Sequence, residues 1–122
     1  MLMELNKSAN SIHHSFNEVE KIARAEARAA IKAGDIAGLK KITAERRRAG
    51  DAVNALLDIL EKQAMSTAVQ KNIATTLTDA AAKARGLVRK MKKAVNVLKT
   101  VAQFANLLVG VLGTVRAIAG VS

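Results

Sequence analysis

The fold depends mainly on residues 84–121, which read ARGLVRKMKKAVNVLKTVAQFANLLVGVLGTVRAIAGV. On a helical wheel of 3.6 residues per turn, the first part of this stretch has an apolar side and a basic side. The apolar side consists of Leu87, Val88, Met91, Ala94, Val95 and Leu98. The opposite side, called the basic face below, consists of Arg85, Arg89, Lys90, Lys92, Lys93 and Lys99. The pattern predicts an amphipathic helix with a strongly cationic back.

From residue 101 onward the sequence is apolar on every side of the wheel. A helix of this kind is either buried by neighbouring helices or lies in lipid. The uncharged run 100–115 is slightly shorter than the about 20 residues of a membrane span. A core helix is therefore the prediction, and a segment in or on a membrane is the alternative. The residues predicted to mediate association are Val101, Ala105, Leu108, Leu112 and Val115.

Apolar residues at alternating steps of four and three continue upstream to residue 73, which predicts a third helix over 67–120. Its last 48 residues alone would be about 72 Å long at 1.5 Å per residue. A compact domain of this size has a radius of gyration of about 14 Å. The helix is therefore expected to break near Thr78, Thr100 or Gly110, or else the protein is elongated and oligomeric.

The N-terminal part predicts two long helices joined by a tight turn. A narrow apolar seam with the same alternating spacing predicts the first helix over 4–33. Gly34 suits the left-handed position that ends a helix, and Asp35 suits the cap that begins the next. The second helix is predicted over 36–65 with a kink at Gly50, because glycine weakens a helix interior.

Composition supports a single helical domain over residues 1–122. Half of the residues are hydrophobic, and the chain contains no proline, cysteine, tryptophan or tyrosine. No stretch shows the apolar–polar alternation of a β-strand. The sequence therefore predicts an all-α, elongated antiparallel bundle of three to four long helices with coiled-coil-like packing and no β-strands.

Positive charge is concentrated late in the sequence. The formal net charge is +10, with 11 Lys/Arg against 9 Asp/Glu in residues 1–65 and 9 against 1 in residues 66–122. Such a basic protein is expected to attract acidic partners, for example an anionic membrane or nucleic acid. Nucleic acid is the less favoured of these partners, because the two phenylalanines offer little surface for stacking bases.

No motif for chemistry is visible. His13 and His14 are adjacent and would point about 100° apart on a helix, whereas helical metal sites use i,i+4 spacing. There is no glycine-rich phosphate loop and no serine beside an acid–base pair. We expect no enzyme activity, catalytic residue, cofactor, metal site or small-molecule substrate. Residues 1–7 do not resemble a secretory signal, so the cytoplasm is the default expectation.

These features favour a non-enzymatic helical interaction or assembly protein. It would form a homo-oligomer or bind a helical protein partner through the apolar C-terminal helix, and its basic face would meet an acidic partner. One alternative is a membrane-active protein that uses residues 100–121 and is similar in composition to helical pore-forming toxins. A second alternative is nucleic-acid binding without sequence specificity.

Overall fold

The computed structural model describes residues 2–93 and 96–121, which form four helices. Their bounds are α1 Met3–Ala33, α2 Ile36–Lys62, α3 Thr67–Lys93 and α4 Val97–Ala119. The described part of the chain contains no β-strand, and the helices pack against one another as a bundle. The prediction of an all-α bundle of three to four long helices is confirmed.

The turn between α1 and α2 has the chemistry that the sequence predicts. Gly34 is left-handed with φ 71°, and its N–H donates to the carbonyl of Ile31. The N–H of Asp35 donates to the carbonyl of Ala30 at 2.8 Å, which completes a Schellman ending. The Asp35 side chain then accepts from the N–H of Gly38 at 2.9 Å and caps α2. Local hydrogen bonds therefore pair the backbone groups at this reversal of the chain.

The left-handed turn allows a direct test with a matched pair of glycines. Gly34→Ala is expected to destabilise the protein by about 1 kcal/mol, because a Cβ is strained at positive φ. Gly110→Ala is expected to stabilise it by about 0.5–1 kcal/mol, because Gly110 is helical and an added Cβ would meet nothing within 4 Å. Urea unfolding followed by far-UV circular dichroism measures both changes. Equal effects of the two substitutions would contradict the positive φ at Gly34.

Two residues at which the sequence predicts a kink or a break lie inside continuous helices in the structure. Gly50 lies within α2, and a Cβ there would come within 3.3 Å of the Phe16 ring, so the missing side chain permits close packing with α1. Thr78 lies within α3, and its hydroxyl shares a 2.8 Å hydrogen bond with Ser8 of α1. Tertiary packing therefore outweighs the low helix propensity of both residues.

The long third helix predicted over 67–120 is two helices in the structure. α3 ends at Lys93 and α4 begins at Val97, so the break lies nearest to Thr100 of the three predicted positions. Asn96 caps α4, because its side chain accepts from the N–H of Lys99 at 3.1 Å. Ala94 and Val95, which the sequence places on the apolar stripe, lie outside the described residues.

The helices are arranged in the ring order α1, α2, α4, α3. α1 packs against α2 and α3, and α4 packs against the same two helices. Contacts between α1 and α4 are few, and α2 does not contact α3 although the two are consecutive in the chain. The pairs α1·α2 and α3·α4 are antiparallel, whereas α1·α3 and α2·α4 are parallel. The connection from α2 to α3 therefore crosses the diagonal of the bundle.

Three contacts between neighbouring helices lie at about the same level along the bundle axis. Phe16 of α1 lies against Gly50 of α2, and Glu18 lies 3.9 Å from Lys92 of α3. Arg48 of α2 donates to the side-chain oxygen of Asn106 in α4. The core above and below this level is filled by one face of each helix. The largest fully buried side chains are Phe104, Leu5, Ile12, Ile42, Leu56, Ile73, Leu77 and Leu108.

Candidate functional site

The six residues of the basic face lie at one end of the bundle. Arg85, Arg89, Lys90, Lys92 and Lys93 occupy the last turns of α3 and are exposed. Lys99 is exposed on the first turn of α4, which the connection from α3 brings to the same end. The location of cations at the C-terminus of α3 is favourable, because the helix dipole is negative there.

Two residues of the basic face contact α1. Arg85 donates from Nη1 to the hydroxyl of Ser11 at 2.9 Å. The Nζ of Lys92 lies 3.9 Å from Glu18, which also lies 3.7 Å from Lys21. These contacts are exposed or partly exposed, so each contributes little to stability. Their effect is to hold the cationic side of α3 next to α1.

The bundle concentrates the whole net charge in one half. The basic half consists of residues 18–48, 85–93 and 96–104, that is, the end of the bundle at which α1 ends and α2 and α4 begin, together with the last turns of α3 from Arg85 onward. It contains 15 Lys/Arg and 5 Asp/Glu. The opposite half, called the neutral half, contains 5 of each. The molecule is therefore strongly positively charged at one end and has no net charge at the other.

Ion pairs use most of the acidic residues of the basic half. Glu20 lies 3.6 Å from Arg24, and Glu45 lies 2.8 Å from Arg48. In the neutral half, a hydrogen bond from Lys62 to the nearby carboxylate of Asp58 raises the pKa of Lys62. The pairs in both halves are mostly local, at i,i+3 or i,i+4 spacing. They leave the large excess of cations in the basic half without internal compensation.

One residue of the triple-arginine run 46–48, Arg48, has a structural role. Arg48 donates to Glu45 on α2 and to Asn106 on α4, and its Nη2 lies 3.5 Å from the carbonyl of Ala102. It therefore joins two parallel helices. Arg46 is half-buried, while Arg47 is exposed. Only Arg47 of the three therefore lies on a solvated face.

The predicted association residues form part of the chain's own core. Val101, Ala105, Leu108, Leu112 and Val115 are between 0% and 7% exposed. In this fold the neighbouring helices α2 and α3 cover these side chains. Their use by another molecule stays a prediction. A partner could use these residues only if α4 left the bundle.

α4 nevertheless retains the composition of a membrane segment. It is 23 residues long and, by length and composition, apolar enough to cross a bilayer; 39% of its most apolar window is buried in the bundle. Its only charged residues are Lys99 and Arg116. A core helix of a bundle meets the same criteria.

The hairpin end carries a feature that the sequence interpretation missed. Ile31 and Ile36 are 60% and 59% exposed on either side of the turn at Gly34. Neither residue lies on the apolar seam that predicts α1. An isoleucine off the seam was the sequence signal for an exposed apolar residue.

His13, His14 and Glu26 are exposed, and no group of three potential metal ligands occurs within residues 2–93 and 96–121.

Comparison with known proteins adds no family to this description. The chain matches no protein-family model, no curated protein sequence and no solved structure.

Proposed function

We propose that the protein is a non-enzymatic interaction protein that binds a polyanionic partner through its basic half. The observation that carries this proposal is the charge distribution. The entire formal charge of +10 belongs to the basic half, because the neutral half is balanced. A concentrated field of one sign attracts an oppositely charged partner and increases its rate of association.

The free cations of the basic half give the partner groups to bind. Among the described residues, Arg89, Lys90, Lys93 and Lys99 have no carboxylate within ion-pair distance. All four side chains are exposed. Ammonium and guanidinium groups in this state form charge-assisted hydrogen bonds with phosphate, sulfate or carboxylate oxygens. Binding of this kind is screened by salt and therefore weakens as ionic strength rises.

Association through the C-terminal helix has a smaller part in the proposal. The five predicted association residues belong to the core, so the proposed partner meets charged side chains rather than the apolar face of α4. A homo-oligomer or a helical protein partner stays a prediction. Size-exclusion chromatography with light scattering measures the first directly, and an oligomer at micromolar concentration would require an interface other than these five residues.

A triple charge reversal tests the proposal. Arg89→Glu/Lys90→Glu/Lys93→Glu is expected to elute from a heparin column at a much lower salt concentration than the wild type. Each cation near an anionic surface contributes about 1 kcal/mol, so three reversals are expected to weaken binding by more than 100-fold. The three side chains are exposed, so circular dichroism should show an unchanged helical content.

The matched control reverses three cations of the neutral half, Lys7→Glu/Lys71→Glu/Arg116→Glu. All three are exposed, and this variant has the same net charge as the basic-half variant. Its elution is expected to change much less, because the remaining field still concentrates on the basic half. Equal shifts for the two variants would show that total charge alone governs binding, and would overturn the proposal.

A membrane-active function is the second candidate, supported by the composition of α4. Insertion would require α4 to leave the bundle and expose buried residues such as Phe104. Apolar burial in the bundle would then be exchanged for burial in lipid. Loss of the cooperative unfolding transition on adding anionic vesicles would favour this function over binding by the intact bundle.

A further inference from the structure

The α1–α2 hairpin extends beyond the rest of the bundle at the basic end. The last buried residue of α1 is Ala23 and the first of α2 is Ile42, so no residue of 24–41 is buried. Lys92, one residue before the end of α3, lies level with Glu18. Ala27 is the last residue of α1 that packs against the core, so the six residues after it extend about 9 Å further. Residues 24–41 are called the hairpin tip below.

The hairpin tip exposes two large apolar side chains. Ile31 and Ile36 flank the turn, while the other exposed large hydrophobics of the described residues, Met3 and Val109, lie elsewhere on the bundle. A single exposed isoleucine is ordinary on a protein surface. Two of them at the end of a projection, with no core to pack against, are placed to enter an apolar environment outside the molecule.

Four basic side chains lie close to the two isoleucines in the sequence of the hairpin tip. Arg28, Lys32, Lys40 and Lys41 are exposed, and none has a carboxylate within ion-pair distance among the described residues. Of the two acidic residues of the hairpin tip, Glu26 is exposed on α1, and Asp35 is engaged in capping α2 through the N–H of Gly38. Exposed apolar side chains beside several exposed cations are the pattern of proteins that bind the interface of an anionic bilayer.

We propose that the hairpin tip docks the protein on anionic lipid bilayers. Ile31 and Ile36 enter the interfacial region, and the four cations contact lipid phosphates and carboxylates. This inference rests on the proposed function, because it names the polyanionic partner as a membrane surface. The bundle stays folded, since the tip projects beyond the core and α4 keeps its buried contacts.

Other occupants fit the hairpin tip less well. A second copy docked tip to tip would bring two strongly basic ends together, which like-charge repulsion opposes. Nucleic acid would satisfy the cations but offers no apolar environment to the isoleucines. It would also find no aromatic platform, because Phe104 is buried and Phe16 is half-buried against Gly50.

The test compares two pairs of exposed apolar residues in the full chain. Ile31→Ser/Ile36→Ser removes the apolar groups of the hairpin tip. Met3→Ser/Val109→Ser removes the other two exposed large hydrophobics and serves as the matched control. Vesicles of phosphatidylcholine and phosphatidylserine at about 3:1, and vesicles of phosphatidylcholine alone, are used in flotation assays. Circular dichroism confirms that both variants are folded.

The wild type and the control are expected to bind the anionic vesicles equally. The tip variant is expected to bind them at least tenfold more weakly, and the wild type to bind neutral vesicles at least tenfold more weakly. The heparin elution of the tip variant should stay unchanged, because its cations are intact. Equal vesicle binding by the tip variant and the control, or loss of binding in the control alone, would overturn the inference.

Failure of this inference can be distinguished from failure of the proposed function. If the wild type binds heparin or a labelled duplex of about 20 base pairs but not anionic vesicles, the proposed function stands and membrane docking is wrong. If it binds neither heparin, duplex nor vesicles at low salt, both proposals are wrong. Salt-sensitive binding to vesicles that is lost in the tip variant supports both.

Discussion

Leu108→Glu is expected to unfold the bundle at neutral pH. Leu108 is 1% exposed on α4, so the introduced carboxylate would lie in the core without a cation beside it. Burial of an ion costs several kcal/mol even after the protein relaxes, and the lost packing of leucine adds to this. The sum, about 5 kcal/mol or more, approaches the whole stability of a typical domain. Far-UV circular dichroism during heating measures the loss.

The deficit in the free energy of unfolding that Leu108→Glu causes should depend on pH. Burial disfavours the charged form, so it raises the pKa of the introduced carboxyl in the folded protein above the ordinary value of about 4.3. Below that value the group is neutral in both states, and only the packing loss remains. The deficit relative to the wild type should therefore be smallest near pH 4 and grow toward pH 7.

Thr114→Glu is the matched control, since it places the same group on an exposed position of α4. Its effect on the free energy of unfolding should stay within about 0.5 kcal/mol. If Leu108→Glu were as stable as this control, α4 would present Leu108 to the outside. The predicted association surface would then regain its support.

Phe104→Ala is expected to lower the free energy of unfolding by about 3–5 kcal/mol. Phe104 is 0% exposed and is the largest fully buried side chain of the described chain. Its truncation removes a large apolar area and leaves a cavity among helices that cannot fully collapse into it. Urea unfolding followed at the helical circular dichroism band gives the value, because the protein has no tryptophan to report by fluorescence.

Two further variants make the Phe104 result specific. Val109→Ala, at a position 43% exposed on the same helix, should change stability by no more than about 0.5 kcal/mol. Phe104→Leu should recover part of the loss, since it refills much of the volume. A loss below about 1 kcal/mol for Phe104→Ala would mean that α4 is not a core helix of the folded chain.

Much of the helical layout can be predicted from short-range signals. The bounds of α1 and the start of α2 follow from an apolar seam and from the Gly34–Asp35 turn, where each backbone group finds its partner within five residues. The exposed basic face is also predictable, because six cations in a stretch of sequence without Asp or Glu are not expected to be buried. Helix periodicity and capping act locally, so no knowledge of the neighbouring helices is needed.

The division of the C-terminal half is harder to predict. An apolar spacing that continues from residue 73 to residue 112 favours one long helix. In the structure α3 ends at Lys93, and α4 runs back antiparallel to it from Val97. The weak stop signal is Asn96, whose side chain caps α4. Apolar burial against α2 and α3 compensates for the interrupted helix, and such burial depends on contacts that periodicity does not encode.

The sequence by itself determined the helical class, the tight hairpin and the exposed cations, because these follow from propensity, capping and charge. Only the tertiary structure decided which apolar residues become core. It also decided that the cations of α1, α2 and α3 share one end. The physical reason is that these outcomes depend on pairs far apart in the chain, such as Glu18 with Lys92 and Arg48 with Asn106. A helical wheel shows that Leu108 lies on an apolar face and that Ile31 lies off the apolar seam of α1. Only the packing of the neighbouring helices decides that Leu108 is buried and Ile31 is exposed.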